Sequence, residues 1–444
     1  MKRENRHRGH MGDDMESDLG LRTLAKVSRR LIPFAMLLFI LSYLDRVNVS
    51  FAALQMNHDL GFTPTVYGLG AGIFFLGFFP FEIPSNLVLE RVGARLWIAR
   101  ITIVWGIVAT ATAWISGAKS FYAMRFLLGV AEAGFLPGII LYFSYWFPAK
   151  ERAKALGLFM ASTAIANIIG APLSTSLLTL DGWLGLRGWQ LLFITEGIPS
   201  ILVGFWVLYY MTERPQDATW LATAERDWLI RTLAAERKVK EAMTPTTLWR
   251  GLTDGRVLMI TALCFFLVSG NFGVVFWLPQ IIKSFGGLTN IEVGGLAALP
   301  YLLAVVVMVW WGRRSDRRQE RKWHLATAAF IGSLGLAASA VAPNPMLSFI
   351  ALCVATVGIW SMFGVFWAIP SDFLSGTAAA GGFALINSFG TLGGFAGPFL
   401  VGFVRSATGS FSASLLVLAA FVMVAAVLAA LLKDERDRLR SAPA

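Results

Sequence analysis

Two stretches of the chain, NLVLERVGARLW at residues 86–97 and GRRSDRRQERKW at residues 312–323, carry related charges at matching steps. Setting Asn86 on Gly312 places Glu90 on Asp316, Arg91 on Arg317 and Arg95 on Arg321, an offset of 226 residues. The same offset puts Pro172 of IIGAPLS on Pro398 of GFAGPFL. Two separate matches at one shift point to an internal duplication, each copy being one structural unit.

Outward from these loops the chain is apolar. Its 444 residues are 56% hydrophobic and only 15% charged, against about 25% charged in an average soluble chain. A membrane-spanning helix needs roughly 20 mostly apolar residues. Twelve runs qualify: 32–53, 66–88, 96–116, 121–147, 154–178, 190–211, 257–282, 292–312, 324–342, 346–369, 380–405 and 411–432. Equivalent points of the repeat are an even number of spans apart, so the two copies run in parallel orientation. The predicted fold is an all-α membrane protein of twelve transmembrane helices in two six-helix halves. The halves cover 32–211 and 257–432, with tails at 1–31 and 433–444 and a linker at 212–256.

Charge orients the spans. Lys and Arg crowd the N-terminal tail and the connections after spans two, four and eight, whereas NHDLGFTPT after span one and the turn at Pro343 have none. The positive-inside rule then places both tails and the linker in the cytoplasm. The linker is charged and interrupted by prolines, with one amphipathic helix expected over Trp220 to Arg237. It reads as a solvated tether or, alternatively, as a regulatory docking helix. The N-terminus, MKRENRHRGHMGDDMESD, lacks the apolar core of a signal peptide. Basic loops account for the net charge of +11 without a nucleic-acid partner. Cys264 and Cys353 lie in apolar runs and suggest neither disulfide nor metal. No phosphate-binding loop, HExxH or G-x-S-x-G is present, so ATP-driven pumping and hydrolysis have no visible site, and no cofactor is expected.

Several stretches carry a family resemblance: YLDRVNVSFAALQM, EIPSNLVLERVGARLWIAR, RFLLGVAEAGFLPG, YWFPAKERAKALG and FAGPFLVG. With the duplicated loop, they resemble the major facilitator superfamily, and its anion:cation symporter branch in particular. The superfamily's G-x-x-x-D-R-x-G-R-R loop is matched in degraded form by Asn86, Glu90, Arg91, Gly93 and Arg95, and again by Gly312, Asp316 and Arg317. The resemblance covers nearly all of Leu31 to Leu432. It implies secondary active import of a small organic anion by proton symport through alternating access. The expected partners are that anion, protons and the lipid bilayer of a bacterial inner membrane, and the protein is expected to act as a monomer. Family substrates include sugar acids, tartrate-like diacids, aromatic acids and vitamins. Export, or Na⁺ coupling, is the alternative within transport; a non-transporting membrane sensor is the alternative outside it. For the loop motif the resemblance implies a conformational latch, beside the plainer reading of a topology signal.

Four ionisable residues fall well inside the first half: Asp45, Arg46, Arg125 and Glu132. Each costs roughly 2.5–3.5 kcal/mol at a helix centre before pairing. Arg125 and Glu132 are seven residues apart, so they share a helix face about 10 Å apart along the axis. At the repeat offset these positions become Asn271, Phe272, Ala351 and Gly358. A charge set present in one half only suggests divided labour. Arginine stays charged and grips a carboxylate through two parallel N–H bonds, so Arg46 and Arg125 are assigned to the substrate anion. Carboxylates change protonation, so Asp45 and Glu132 are assigned to proton coupling. The opposing reading is a structural lock between helices.

Adjacent helical positions point about 100° apart. Arg46 is therefore expected to face a central cavity while Asp45 turns to Arg125 of span four. Tyr43 and Asn387 match positions where the resemblance places substrate contacts, and Asn271 is expected to shape the pocket from the second half. Trp367 and Trp277 are candidates for the cavity wall or for interfacial anchoring. Glu82 and Glu196 are read as structural or gating residues. Phe78 stands where some sugar-acid members carry tyrosine, which leans towards a less polar acid.

Overall fold

The computed structural model describes residues 2–241, 254–373 and 376–432. Among them every regular element is a helix. Eleven are long and apolar enough to cross a membrane. In the first half they are Pro64–Val92, Ala94–Trp114, Ala118–Ser144, Ala149–Leu180 and Gly188–Tyr210, spans two to six. In the second half they are Gly255–Lys283, Asn290–Arg318, Arg321–Val341, Pro345–Pro370, Gly381–Thr408 and Phe411–Leu431, spans seven to twelve. Span one completes the twelve as Lys2–Val47 followed by Val49–Asp59. Asn48 between its two parts keeps helical dihedrals, so this span bends without breaking.

Within each half, glycine sets the packing distance. Span three lies along span six, with Gly197 against Thr110 and Gly106 against Ser200 and Ile201. Span nine lies along span ten, with Gly358 facing the backbone of Gly332. Small residues at such crossings let helix backbones approach closely where lipid offers no hydrophobic drive.

Between halves, span two meets span eleven and span five meets span eight. A Cβ on Gly68 would sit 2.6 Å from the carbonyl oxygen of Pro398, and one on Gly294 would strike Thr175. The Tyr67 hydroxyl donates to the Phe276 carbonyl at 2.7 Å across the halves, and Gln280 accepts from Asn57 at 3.3 Å. Within the second half Trp277 Nε1 donates to the Pro398 carbonyl at 3.0 Å and Arg405 to Gln280 at 3.4 Å. These residues lie at the end of the bundle opposite the 212–256 connection, and they close it. Past this seam spans five and eight part, and Met160 and Met308 line a cavity of about 460 Å³ between the halves.

The connecting helix, Thr223–Glu241, is not the solvated tether favoured by its composition. Lys26 pairs with Glu225 at 2.9 Å, and Arg152 with Glu236 at 3.1 Å. Trp220 stacks on Trp146 at 5.4 Å, and the Arg30 guanidinium lies 4.9 Å from the Trp220 ring. Trp228 packs on Gly20, and Leu229 is fully buried. Lys26 also holds the Glu225 carboxyl below its ordinary range. The amphipathic pattern marks a helix fastened to the first half, with Leu229 buried, Trp228 beside it and Trp220 just ahead of its first turn. The part of the linker over 242–253 lies outside the described residues.

Candidate functional site

Span four breaks immediately after Glu132. Ala133 leaves the helical region (φ −57°, ψ 130°), Gly134 takes φ 86°, and the helix resumes at Phe135. Glycine adopts such a φ without penalty, and a Cβ there would also collide with Ser85. The equivalent stretch of span ten is continuous helix from Pro345 to Phe366, straight through Gly358. Irregular backbone at membrane depth is tolerated where protein surrounds it.

At this break the charges meet. Arg46 donates to one oxygen of Glu132 from Nη2 at 2.7 Å and Nε at 3.2 Å, and the Ser42 hydroxyl adds a bond to that oxygen at 3.1 Å. The Arg46 side chain is 17% exposed and that of Glu132 is 0% exposed, so the arginine is the member that reaches the cavity. Its guanidinium lies 4.9 Å from the ring of Phe74 and 5.6 Å from that of Phe78, a cation–π cradle. Arg125, fully enclosed, donates from Nη2 to the backbone carbonyl of Arg46 at 3.1 Å and lies 5.3 Å from the Phe74 ring.

The expected Asp45–Arg125 pair is not formed in this structure. Asp45 turns to span six, where it accepts from the Ser200 hydroxyl at 2.6 Å. The reason is the same 100° step: with Arg46 aimed at Glu132, its neighbour points at the adjacent side of the bundle. Arg125 takes the Arg46 carbonyl instead of a side chain. Glu196 forms a similar tie, accepting from Ser174 at 2.6 Å between spans five and six.

The cavity gathers many of the remaining candidates. Tyr43, Asn271, Trp367 and Asn387 all line it, as does Phe78. The Tyr43 hydroxyl and Asn271 Oδ1 are buried with no protein hydrogen-bond partner. Asn387 donates to Glu82 across the halves at 2.8 Å. Trp277 is not at the wall; it is buried in the closed seam, stacked edge-on to Tyr67 at 4.8 Å. Sequence reasoning did not single out Phe39 and Phe75 of the first-half lining, which Phe272, Trp360 and Phe363 complete from the second half. It also left Glu82 outside the site, although a glutamate two positions before a proline in an apolar run was a visible signal.

The duplicated loops differ in use. Glu90, Arg91 and Arg95 are exposed, and Gly93 turns the chain between spans two and three at φ 98°. The acid at this corner is Glu213, which follows span six. Its carboxylate accepts from the backbone N–H groups of Ala94 at 2.7 Å and Arg95 at 2.9 Å. These are first-turn donors with no partner inside the helix. In the second copy Gly312 lies within span eight, Asp316 approaches Arg321 at 3.6 Å, and Arg317 is exposed.

Known proteins share this architecture. The family model described as Major Facilitator Superfamily matches residues 35–398. A candidate tartrate transporter of Agrobacterium vitis is 48% identical over 413 residues, covering 93% of this chain and 95% of its own. The quinolone resistance transporter of Acinetobacter baumannii is 37% identical over 428 residues, covering 96% and 98%. A bacterial homolog of the human lysosomal transporter Spinster, solved inward-facing and unoccupied, superposes with a TM-score of 0.75 at 16% identity, over 91% of this chain and 96% of its own. That likeness is one of fold. With its twelve helices, central cavity and family match, the chain belongs to the major facilitator superfamily and is a multi-pass membrane transporter.

Proposed function

We propose that the protein carries a small organic carboxylate across a bacterial inner membrane together with protons, in the importing direction. The observation that supports this reading is the pairing of Arg46, which lines the cavity, with the enclosed Glu132 behind it. A cation that could bind a substrate carboxylate is already held by a carboxylate of the protein. The two anions compete for one guanidinium. A proton on Glu132 removes the competitor, and the substrate takes its place; loss of the proton returns Arg46 to Glu132 and expels the substrate. Asp45 is a second titratable carboxylate in the same cluster, and Arg125 holds the Arg46 backbone from behind. The relatives, one of them named for tartrate transport, fit an anionic cargo. With the basic loops and both termini in the cytoplasm, the closed seam faces outward and the cavity inward. Exposed loop-motif residues Glu90, Arg91, Arg95 and Arg317 would then act at the cytoplasmic rim as that rim closes.

Glu132→Gln tests this in proteoliposomes. The variant should exchange labelled anion across the membrane but lose accumulation driven by a pH gradient. Full proton-driven accumulation by Glu132→Gln would overturn the coupling, and accumulation driven by a Na⁺ gradient alone would replace the ion. The relative named for quinolone resistance favours one other reading, export through the same site. Net efflux from cells loaded with substrate would select it.

A further inference from the structure

We infer that an arginine-lined recess on span eight binds the headgroup of a negatively charged phospholipid. It lies at the end of the bundle that carries the 212–256 connection, the cytoplasmic end in the orientation proposed above. The recess has a volume of about 660 Å³ and shares no residue with the Arg46–Glu132 cluster. Nearer the middle of the span its lining is apolar, with Val305, Val306, Val309 and Trp310. Val306 is 68% exposed and Trp310 55%, so both face outward instead of into helix packing. Towards the helix end the lining is cationic, with Arg313, Arg314, Arg317 and Arg318. Steps of four residues lead from Val305 and Val309 to Arg313 and Arg317, and from Val306 and Trp310 to Arg314 and Arg318. Each apolar row therefore runs into a cationic one on the same helix face. Val305 and Val309 also line the central cavity, so the recess adjoins that cavity on its span-eight side.

The lining names its ligand by chemistry. A phospholipid has an apolar part and an anionic part, in the order in which these rows present their partners. Trp310 stands at the join, as tryptophan does at a membrane interface, and the Arg314 guanidinium lies 5.5 Å from its ring. Among the described residues no carboxylate pairs with any of the four arginines. Asp316, the acid of this stretch, lies outside the lining and approaches Arg321 at 3.6 Å. The four cations are therefore open to an anion from outside the chain. Orienting a span needs only positive charge, for which lysine and arginine count alike. It requires neither four arginines in one recess nor an apolar row above them. A guanidinium forms two parallel bonds to phosphate, whereas an ammonium acts as a point charge. A small soluble anion would use the cationic half and leave the apolar half empty. A phospholipid covers both, and its acyl chains never leave the bilayer. Basic pockets on the cytoplasmic side of spanning helices take such headgroups.

The test uses purified full-length protein, stripped of lipid in detergent and offered an equal mixture of phosphatidylglycerol and phosphatidylcholine. Retained lipid is counted by native mass spectrometry. Phosphatidylglycerol should be retained about ten- to a hundredfold over phosphatidylcholine, and a large excess of inorganic phosphate should not displace it. In Arg314→Gln/Arg318→Gln the preference should shrink about tenfold. Arg91→Gln/Arg95→Gln removes the same charge from the matching loop of the first half and should keep it. If the span-eight double variant does not fold, Trp310→Ala, with every charge in place, should still release phosphatidylglycerol several-fold more readily. Equal retention of the two lipids by the parent overturns the inference. A preference unchanged in the span-eight variants, or lost equally in Arg91→Gln/Arg95→Gln, overturns this location. Displacement of phosphatidylglycerol by inorganic phosphate overturns the lipid in favour of a soluble anion.

Discussion

The first half of the molecule and the second build the same six-helix scaffold around opposite interiors. Where the first has Asp45, Arg46, Arg125 and Glu132, the second has Asn271, Phe272, Ala351 and Gly358. The first breaks span four beside its buried acid; the second runs span ten straight through. The first binds helix to helix through Arg46–Glu132, Ser200–Asp45 and Ser174–Glu196. The second uses backbone contact between glycines and a neutral bond, the Ser333 hydroxyl donating to the Ala419 carbonyl at 2.7 Å. The scaffold therefore does not need the charges. Glycine and serine hold six helices together in one half, so the acidic and basic residues of the other are not required by the scaffold itself.

Four substitutions bear on that contrast. The largest effect belongs to Arg46→Ala. It leaves Glu132 buried without its cation, so thermal unfolding in detergent should report a loss of about 3–5 kcal/mol. Adding Glu132→Gln should restore most of it; no recovery in the double variant would mean that the arginine packs rather than pairs. Gly358→Ala attacks the other half, since its Cβ would sit 2.6 Å from the Cα of Gly332. It should cost about 1–3 kcal/mol through overpacking, with pH-driven uptake per folded molecule preserved. An uptake defect larger than the folding defect would give the second half a share in coupling. Glu213→Ala removes the acceptor for the two N–H groups of span three and should cost about 0.5–2 kcal/mol, as other helix N-caps do, with Glu213→Gln recovering part. The smallest effect is expected at Lys26→Ala. The Lys26–Glu225 pair is half-exposed on the lysine side, and such pairs contribute about 0–1 kcal/mol. Because Lys26 holds the Glu225 carboxyl low, the parent's small advantage should be present near neutral pH. It should fade as acid protonates Glu225; an advantage that grew with acidification would refute the pairing.

The fold was open to reading because its signals are local and repeated. Apolar length fixes each span, and the 226-residue offset fixes the duplication. The cluster was half readable. Charges cannot hide in an apolar run, so Arg46 and Glu132 stood out, and a one-residue step separated Arg46 from Asp45. Which neighbour each step faces depends on helix rotation, and composition does not encode it; Asp45 found Ser200, an ordinary serine in an ordinary span. The connecting helix shows the same limit. Its charged face is what the sequence displays, whereas Trp220 and Trp228 take their meaning from Trp146 and Gly20, which are distant in the chain. The first-half rings Phe39 and Phe75 went unread for a related reason, since phenylalanine facing lipid and phenylalanine facing a cavity read alike.

The seam closed by Gly68 and Gly294 bears on what separates a carrier from a pore. With no side chain at either position, Gly68 packs against the backbone of Pro398 and Gly402, and Gly294 against Thr175 and the Ala171 carbonyl, so the helices of the two halves meet closely at that end. A membrane voltage or proton gradient is a store that any continuous aqueous thread would drain, and it would drain fastest through a protein made in quantity. Tightness at that end therefore protects every other process powered by the gradient. Two glycines thus allow the close contact that seals one end of the carrier.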